Sequence, residues 1–115
     1  MKIVTSDEII SVENVRENKF RAAAPEITEV RVMADKAVPK TLRGRFSHYF
    51  GSSAPEIKLR AIMVWAGDRS VTLDAYHDEQ FNEAIEWFSR HGWDMQRAVA
   101  SAVLTPLVRV TVNRH

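Results

Sequence analysis

The chain contains no cysteine. Disulfides, thiol nucleophiles, thiolate zinc sites and iron–sulfur clusters are therefore excluded as sources of stability or chemistry. It also lacks any apolar run near the ~18 residues that a membrane span needs. The N-terminal "MKIVTSDEII" meets Asp7 and Glu8 after a single lysine, so no secretion signal is read there. The expectation is a cytoplasmic protein without membrane contact. There is little imbalance of charge: 16 Lys and Arg stand against 15 Asp and Glu, a net +1. A surface that grips phosphate everywhere is excluded by that balance, although a local basic face is not. With four glycines in the chain, there is no phosphate loop and no Gly-x-Ser-x-Gly nucleophile turn. The four histidines, His48, His77, His91 and His115, contain no pair at the i, i+4 spacing of a zinc hydrolase helix. "DAYHDE" groups Asp74, His77, Asp78 and Glu79, but the last two are already explained as a helix cap and a first-turn acid. No metal and no cofactor is expected.

What is present describes one globular domain over residues 1–115. Apolar residues make up 45% and charged residues 27% of the chain, enough apolar content to fold without staples. Residues 1–24 are the least periodic part. "MKIVT" suits a short strand, and Ser6 followed by acids suits a helix start, so 1–24 is expected as a short helix or an N-terminal arm. After Pro25, residues 26–34 alternate, with Thr28, Val30, Val32 and Ala34 on one face. Residues 57–66 are apolar on both faces, which predicts a central strand. Gly67-Asp68 has the glycine-first order of a type II′ turn, and 69–76 returns as an edge strand with one wet face.

Residues 78–91 read as a helix with Phe81, Ala84, Ile85 and Phe88 as its apolar stripe, Trp87 at its flank and Gly92 as its stop. Asp94 caps a second helix, 94–104, whose small face holds Ala98 and Ala102; Pro106 ends it. Residues 107–113 alternate again, with Val108, Val110 and Val112 turned inward. The fold class is α+β: a mainly antiparallel sheet of about four strands (26–34, 57–66, 69–76, 107–113) packed against the helix pair. The stretch "EAIEWFSRHGWDMQRAVASAVL" resembles, over about a fifth of the chain, the last two helices of a ubiquitin-associated domain. A hairpin precedes it where that family has its first helix and binding loop. The resemblance therefore implies shared helix-turn chemistry and no shared function.

The middle of the chain carries the chemistry. From Val32 to Arg60 there are six cations, Lys36, Lys40, Arg43, Arg45, Lys58 and Arg60, against Asp35 and Glu56. Residues 35–55 form a long loop broken by Pro39, Gly44, Gly51 and Pro55. Within it, "TLRGRFSHYF" sets Arg43, Arg45 and His48 among Phe46, Tyr49 and Phe50 with no acid. Arginines pair with phosphate or carboxylate, and aromatics stack on bases or fill a pocket. Lys36, Lys40, Arg43, Arg45, His48, Tyr49, Lys58 and Arg60 are thus candidate contacts to nucleic acid or to a protein partner. The first expectation is a non-enzymatic nucleic-acid-binding module. The alternative is a small inhibitor or adaptor, of the kind phages and mobile elements encode, that binds a larger protein or complex. A metal-free nuclease using His48 as acid or base stands third. An unpaired sheet edge is also expected to invite a homodimer.

Overall fold

The computed structural model describes residues 2–13, 19–35, 59–74 and 78–115, for 78 and 79 the backbone alone. The four-stranded antiparallel sheet expected from the sequence is present. Its strands are β4 (Glu29–Ala34), β5 (Leu59–Ala66), β6 (Arg69–Asp74) and β7 (Val110–Thr111), in the order β6-β5-β4-β7. β5 lies inside the sheet and β6 at its edge, as the apolar patterns predict. Gly67 takes φ 67° while Asp68 stays out of the positive region, which is the type II′ pattern. Thr28 pins this turn: its hydroxyl donates to the Trp65 carbonyl (3.2 Å) and accepts from the Gly67 amide (3.2 Å).

Residues 2–23 differ from expectation. In place of a short helix or a free arm, the described residues 2–13 and 19–23 form a second antiparallel sheet of β1 (Lys2–Thr5), β2 (Ile9–Glu13) and β3 (Lys19–Ala23). The acids after Ser6 sit in the β1–β2 turn, where the Ser6 amide and hydroxyl bond the Ile9 carbonyl. The β-branched Ile9, Ile10 and Val12 prefer a pleated surface to a helix. Ile10 and Val12 point inward with Ile3, Phe20 and Ala22, and all five are buried. A short 3-10 turn at Ala24–Glu26 leads to the buried Ile27 and into β4.

Two helices fill the space left by the sheets. α1 (Asp78–Arg90) packs on β1, and α2 (Met95–Leu104) packs on β4. Asp94 caps α2 as predicted, accepting from the Arg97 amide at 3.2 Å, and Ala98 and Ala102 lie buried on its inner face. Gly92 ends α1 at φ 90°. The stripe of α1 is shifted from the expected one. Trp87 is fully buried with Phe81, Ala84 and Phe88, while Ile85 is only partly so.

The reason is a polar seam. Gln80, Ala84, Trp87 and His91 follow one helical line, and three of them bond the N-terminal hairpin. Gln80 Oε1 accepts from the Ile3 amide (2.9 Å), Trp87 Nε1 donates to the Ser6 carbonyl (2.7 Å), and His91 Nε2 donates to the Asp7 carbonyl (2.7 Å). Trp87 also meets Phe88 edge-on at 5.2 Å, an arrangement that adds to the burial of both rings.

The end of the chain also departs from the expected strand. β7 is short, and Val108 is exposed where an inward position is expected. Leu107 adopts φ 66°, so the chain turns there and enters the sheet only after Val108. We expect Trp87→Phe to cost about 1–2 kcal/mol. A smaller aromatic ring stays, but the bond to Ser6 goes. Urea unfolding reads the loss, and hydrogen exchange should rise first in residues 3–12.

Candidate functional site

Of the eight candidate contact residues, Arg60 alone falls among the described residues. Lys36, Lys40, Arg43, Arg45, His48, Tyr49 and Lys58 lie outside them, as does the loop 35–55 beyond Asp35. Arg60 is exposed near the start of β5. There the β4 register passes from Leu59 opposite Ala34 to Ala61 opposite Met33, leaving Arg60 as the extra residue of a bulge.

No group of three or more metal-ligating side chains occurs among the described residues. His91 is committed to the Asp7 carbonyl and stacks against Trp87 with 4.4 Å between ring centroids.

The described residues do form a groove, of about 630 Å³, between the outer edges of β3 and β6. Lys19, Phe20, Arg69, Ser70, Val71, Thr72 and Asp74 line it. Its origin is topological. β3 is the last strand of one sheet and β6 the last of the other, so two edges with no further strand among the described residues run side by side. At one end they are tied. Arg69 Nη1 donates to the Arg21 carbonyl at 2.7 Å, Nη2 pairs with Glu26 Oε2 at 3.1 Å, and the guanidinium sits 5.7 Å from the Phe20 ring centre. Glu26 Oε1 takes the Ala23 amide at 2.9 Å. The outward Arg21 carbonyl and Ala23 amide of β3 are therefore satisfied at this end. Past Arg69 the edges part, and Phe20 and Val71 make the floor.

The ladder parity shows what the open end offers. The two-residue turn makes Ala66 and Arg69 the closing hydrogen-bonded pair, and the register continues with Val64 opposite Val71 and Ile62 opposite Leu73. In an antiparallel pair such residues alternate with ones whose amides and carbonyls point away. Ser70, Thr72 and Asp74 thus turn their backbone groups into the groove. On β3 the odd residues face the same way, since the Arg21 carbonyl and the Ala23 amide both point there. Lys19 completes the set. Among the described residues, the side chains of Lys19, Ser70, Thr72 and Asp74 have no hydrogen-bond or ion-pair partner. A site with this lining can pair with an extended backbone and hold a charged side chain beside Lys19.

Sequence reasoning did not find this site. Its β6 half was legible as an edge strand with Ser70, Thr72 and Asp74 on the wet face. Its β3 half was not, because residues 19–23 were read as part of a helix or arm. The alternation Phe20, Ala22, Ala24 was the available signal.

A second place carries cationic and aromatic chemistry. On the outer face of the four-stranded sheet, the Arg31 guanidinium lies 5.4 Å from the centre of the half-buried Trp65 ring, paired with Glu29 at 3.2 Å. Comparison with known proteins adds nothing to this geometry: no family model, curated protein or solved structure matches the chain.

Arg69 is the clamp that sets the width of the groove. Arg69→Ala should lower stability by roughly 1 kcal/mol, because its contacts are half-exposed and screened. Amide exchange should quicken across 19–23 and stay unchanged in β4 and β5, which a two-dimensional NMR exchange series reads directly.

Proposed function

We propose that the protein is a non-enzymatic binding module that takes an extended segment of a protein partner as an added strand along β6. The observation that carries this reading is the outward set of backbone groups at Ser70, Thr72 and Asp74, opposite the free end of β3. Strand addition draws affinity from main-chain hydrogen bonds and specificity from alternate side chains. Here the floor of Phe20 and Val71 accepts small apolar side chains. Lys19, exposed and without a partner among the described residues, favours an acidic side chain on the segment. The six residues of β6 span about 20 Å, so a segment of similar length is enough. Such a module suits a small inhibitor or adaptor acting on a larger protein.

A second reading is nucleic-acid binding through Lys36, Lys40, Arg43, Arg45, His48, Tyr49, Lys58 and Arg60. The exposure of Arg60, and the Arg31 guanidinium over Trp65 elsewhere on the same four-stranded sheet, favour it. The two readings separate in one experiment. Random peptide display against the protein should enrich alternating, acid-bearing segments. Their binding should be lost in Thr72→Pro, whose missing N–H points into the groove and not toward β5. It should weaken several-fold in Lys19→Glu, which reverses the charge beside the groove. Failure to enrich any peptide, together with oligonucleotide binding that falls steeply with salt and drops in Arg43→Ala/Arg45→Ala, would replace the first reading by the second.

A further inference from the structure

The other end of the four-stranded sheet holds a second open edge, and its shape is specific. β7 bonds β4 through its even residues: Val110 lies opposite Val32, and the Val112 amide donates to the Val30 carbonyl at 2.8 Å. The odd residues therefore face outward. Two of them are already satisfied. The Asn113 carbonyl accepts from the Asp94 amide (2.8 Å), and the His115 amide donates to the Gly92 carbonyl (2.7 Å). Trp93 bridges Arg114 between them, with the Arg114 guanidinium 4.7 Å from the centre of its ring. At the other end, Leu107 at φ 66° turns the chain, and the Val108 amide bonds back to Thr105. What remains open among the described residues is a short window, the amides and carbonyls of Arg109 and Thr111, centred on Val110.

We infer that this window pairs with the same window of a second copy of the chain, β7 against β7, antiparallel about a two-fold axis at Val110. The geometry is self-complementary. With Val110 opposite its counterpart, Arg109 of one copy faces Thr111 of the other. Both residues carry outward groups, so each copy exchanges all four of its free donors and acceptors. The window also ends where the pairing must end, at the turn of Leu107 on one side and the Trp93 bridge on the other.

The charge pattern fits the same occupant. From Val103 to Asn113 the sole charged residue is Arg109. In this register it lies directly opposite an uncharged threonine, and its own counterpart takes the more distant diagonal position, so no like charges stand directly opposite. Exposed apolar side chains lie alongside, Leu104 (83%), Leu107 (46%) and Val108 (52%). Pairing brings Val108 opposite the partner's Val112 and covers part of this surface. The left-handed backbone at Leu107, unfavourable for a residue with a side chain, marks a turn held in place by the Leu107 amide on the Ala34 carbonyl (3.0 Å). This surface lies at the opposite edge of the sheet from β6, so the dimer and the strand-addition site are independent.

The test is sedimentation velocity over a concentration series, run on the full chain and on Thr111→Pro. The Thr111 N–H points away from β4, so proline removes an intermolecular donor and leaves the β4 ladder whole. The expected result is a dimer for the parent and at least a tenfold weaker association for the variant. Hydrogen exchange on the parent alone gives a readout that needs no variant. The Arg109 and Thr111 amides should gain protection as concentration rises, while that of Val112 does not change. A parent that remains monomeric up to roughly 1 mM, the weak end of specific association, overturns the proposal. So does a dimer in which those two amides stay unprotected.

Discussion

Every open antiparallel sheet has two edges, and each edge carries backbone groups that must find a partner or water. This chain folds as two open sheets of three and four strands, so it has four edges to manage. Much of the structure follows from how each one is handled. The β1 edge lies under α1, where Gln80 takes the Ile3 amide. The β7 edge is half-closed by Gly92 and Asp94, the residues that join the two helices. The β3 and β6 edges face one another, tied at one end by Arg69 and Glu26 and open at the other. The proposed working surfaces are the stretches of edge that the fold leaves without a partner.

The tight and loose parts of the molecule differ in the same terms. The two sheets share a single core, in which Ile10, Val12 and Phe20 from one sheet join Val30, Val32, Ile62 and Val64 from the other, closed by Trp87 and Phe88. Burying each of these side chains contributes about 2–3 kcal/mol before the entropy of ordering is counted. The clamp at Arg69 is half-exposed and contributes far less. Apolar burial therefore holds the sheets together, and the polar clamp sets the spacing of two edges that the core already brings close. A groove positioned by a rigid core but rimmed by weak contacts can adjust to an incoming strand.

Where one face of an element is buried and the other wet, the sequence was a sufficient guide. The β5–β6 hairpin, both helices, the Asp94 cap and the Gly92 stop all follow from periodicity and from residues with one dominant use. Residues 2–23 were harder because Ser6, Asp7 and Glu8 suit a helix start and a strand turn equally well. Only tertiary contact, through Trp87 and His91, decides between them. Val108 was misplaced inward because an alternating pattern does not reveal where a chain turns, and Leu107 is not a residue that announces a left-handed backbone. The groove was illegible for a deeper reason: it is made by backbone parity in two strands some fifty residues apart. The basic-aromatic candidates from Lys36 to Lys58 lie outside the described residues, so nucleic-acid binding through them stays a proposal beside strand addition.

The central claim is that the β6 edge is open and ordered in the free protein. Residue-resolved amide exchange in native buffer tests it most directly. The account predicts an alternating pattern, with slow exchange at Val71 and Leu73, which bond β5, and fast exchange at Ser70, Thr72 and Asp74, which face the groove. Uniformly slow exchange along β6 would contradict it, because the edge would then already have a partner strand. Uniformly fast exchange would contradict it as well, because β6 would not be a stable strand to which another could be added.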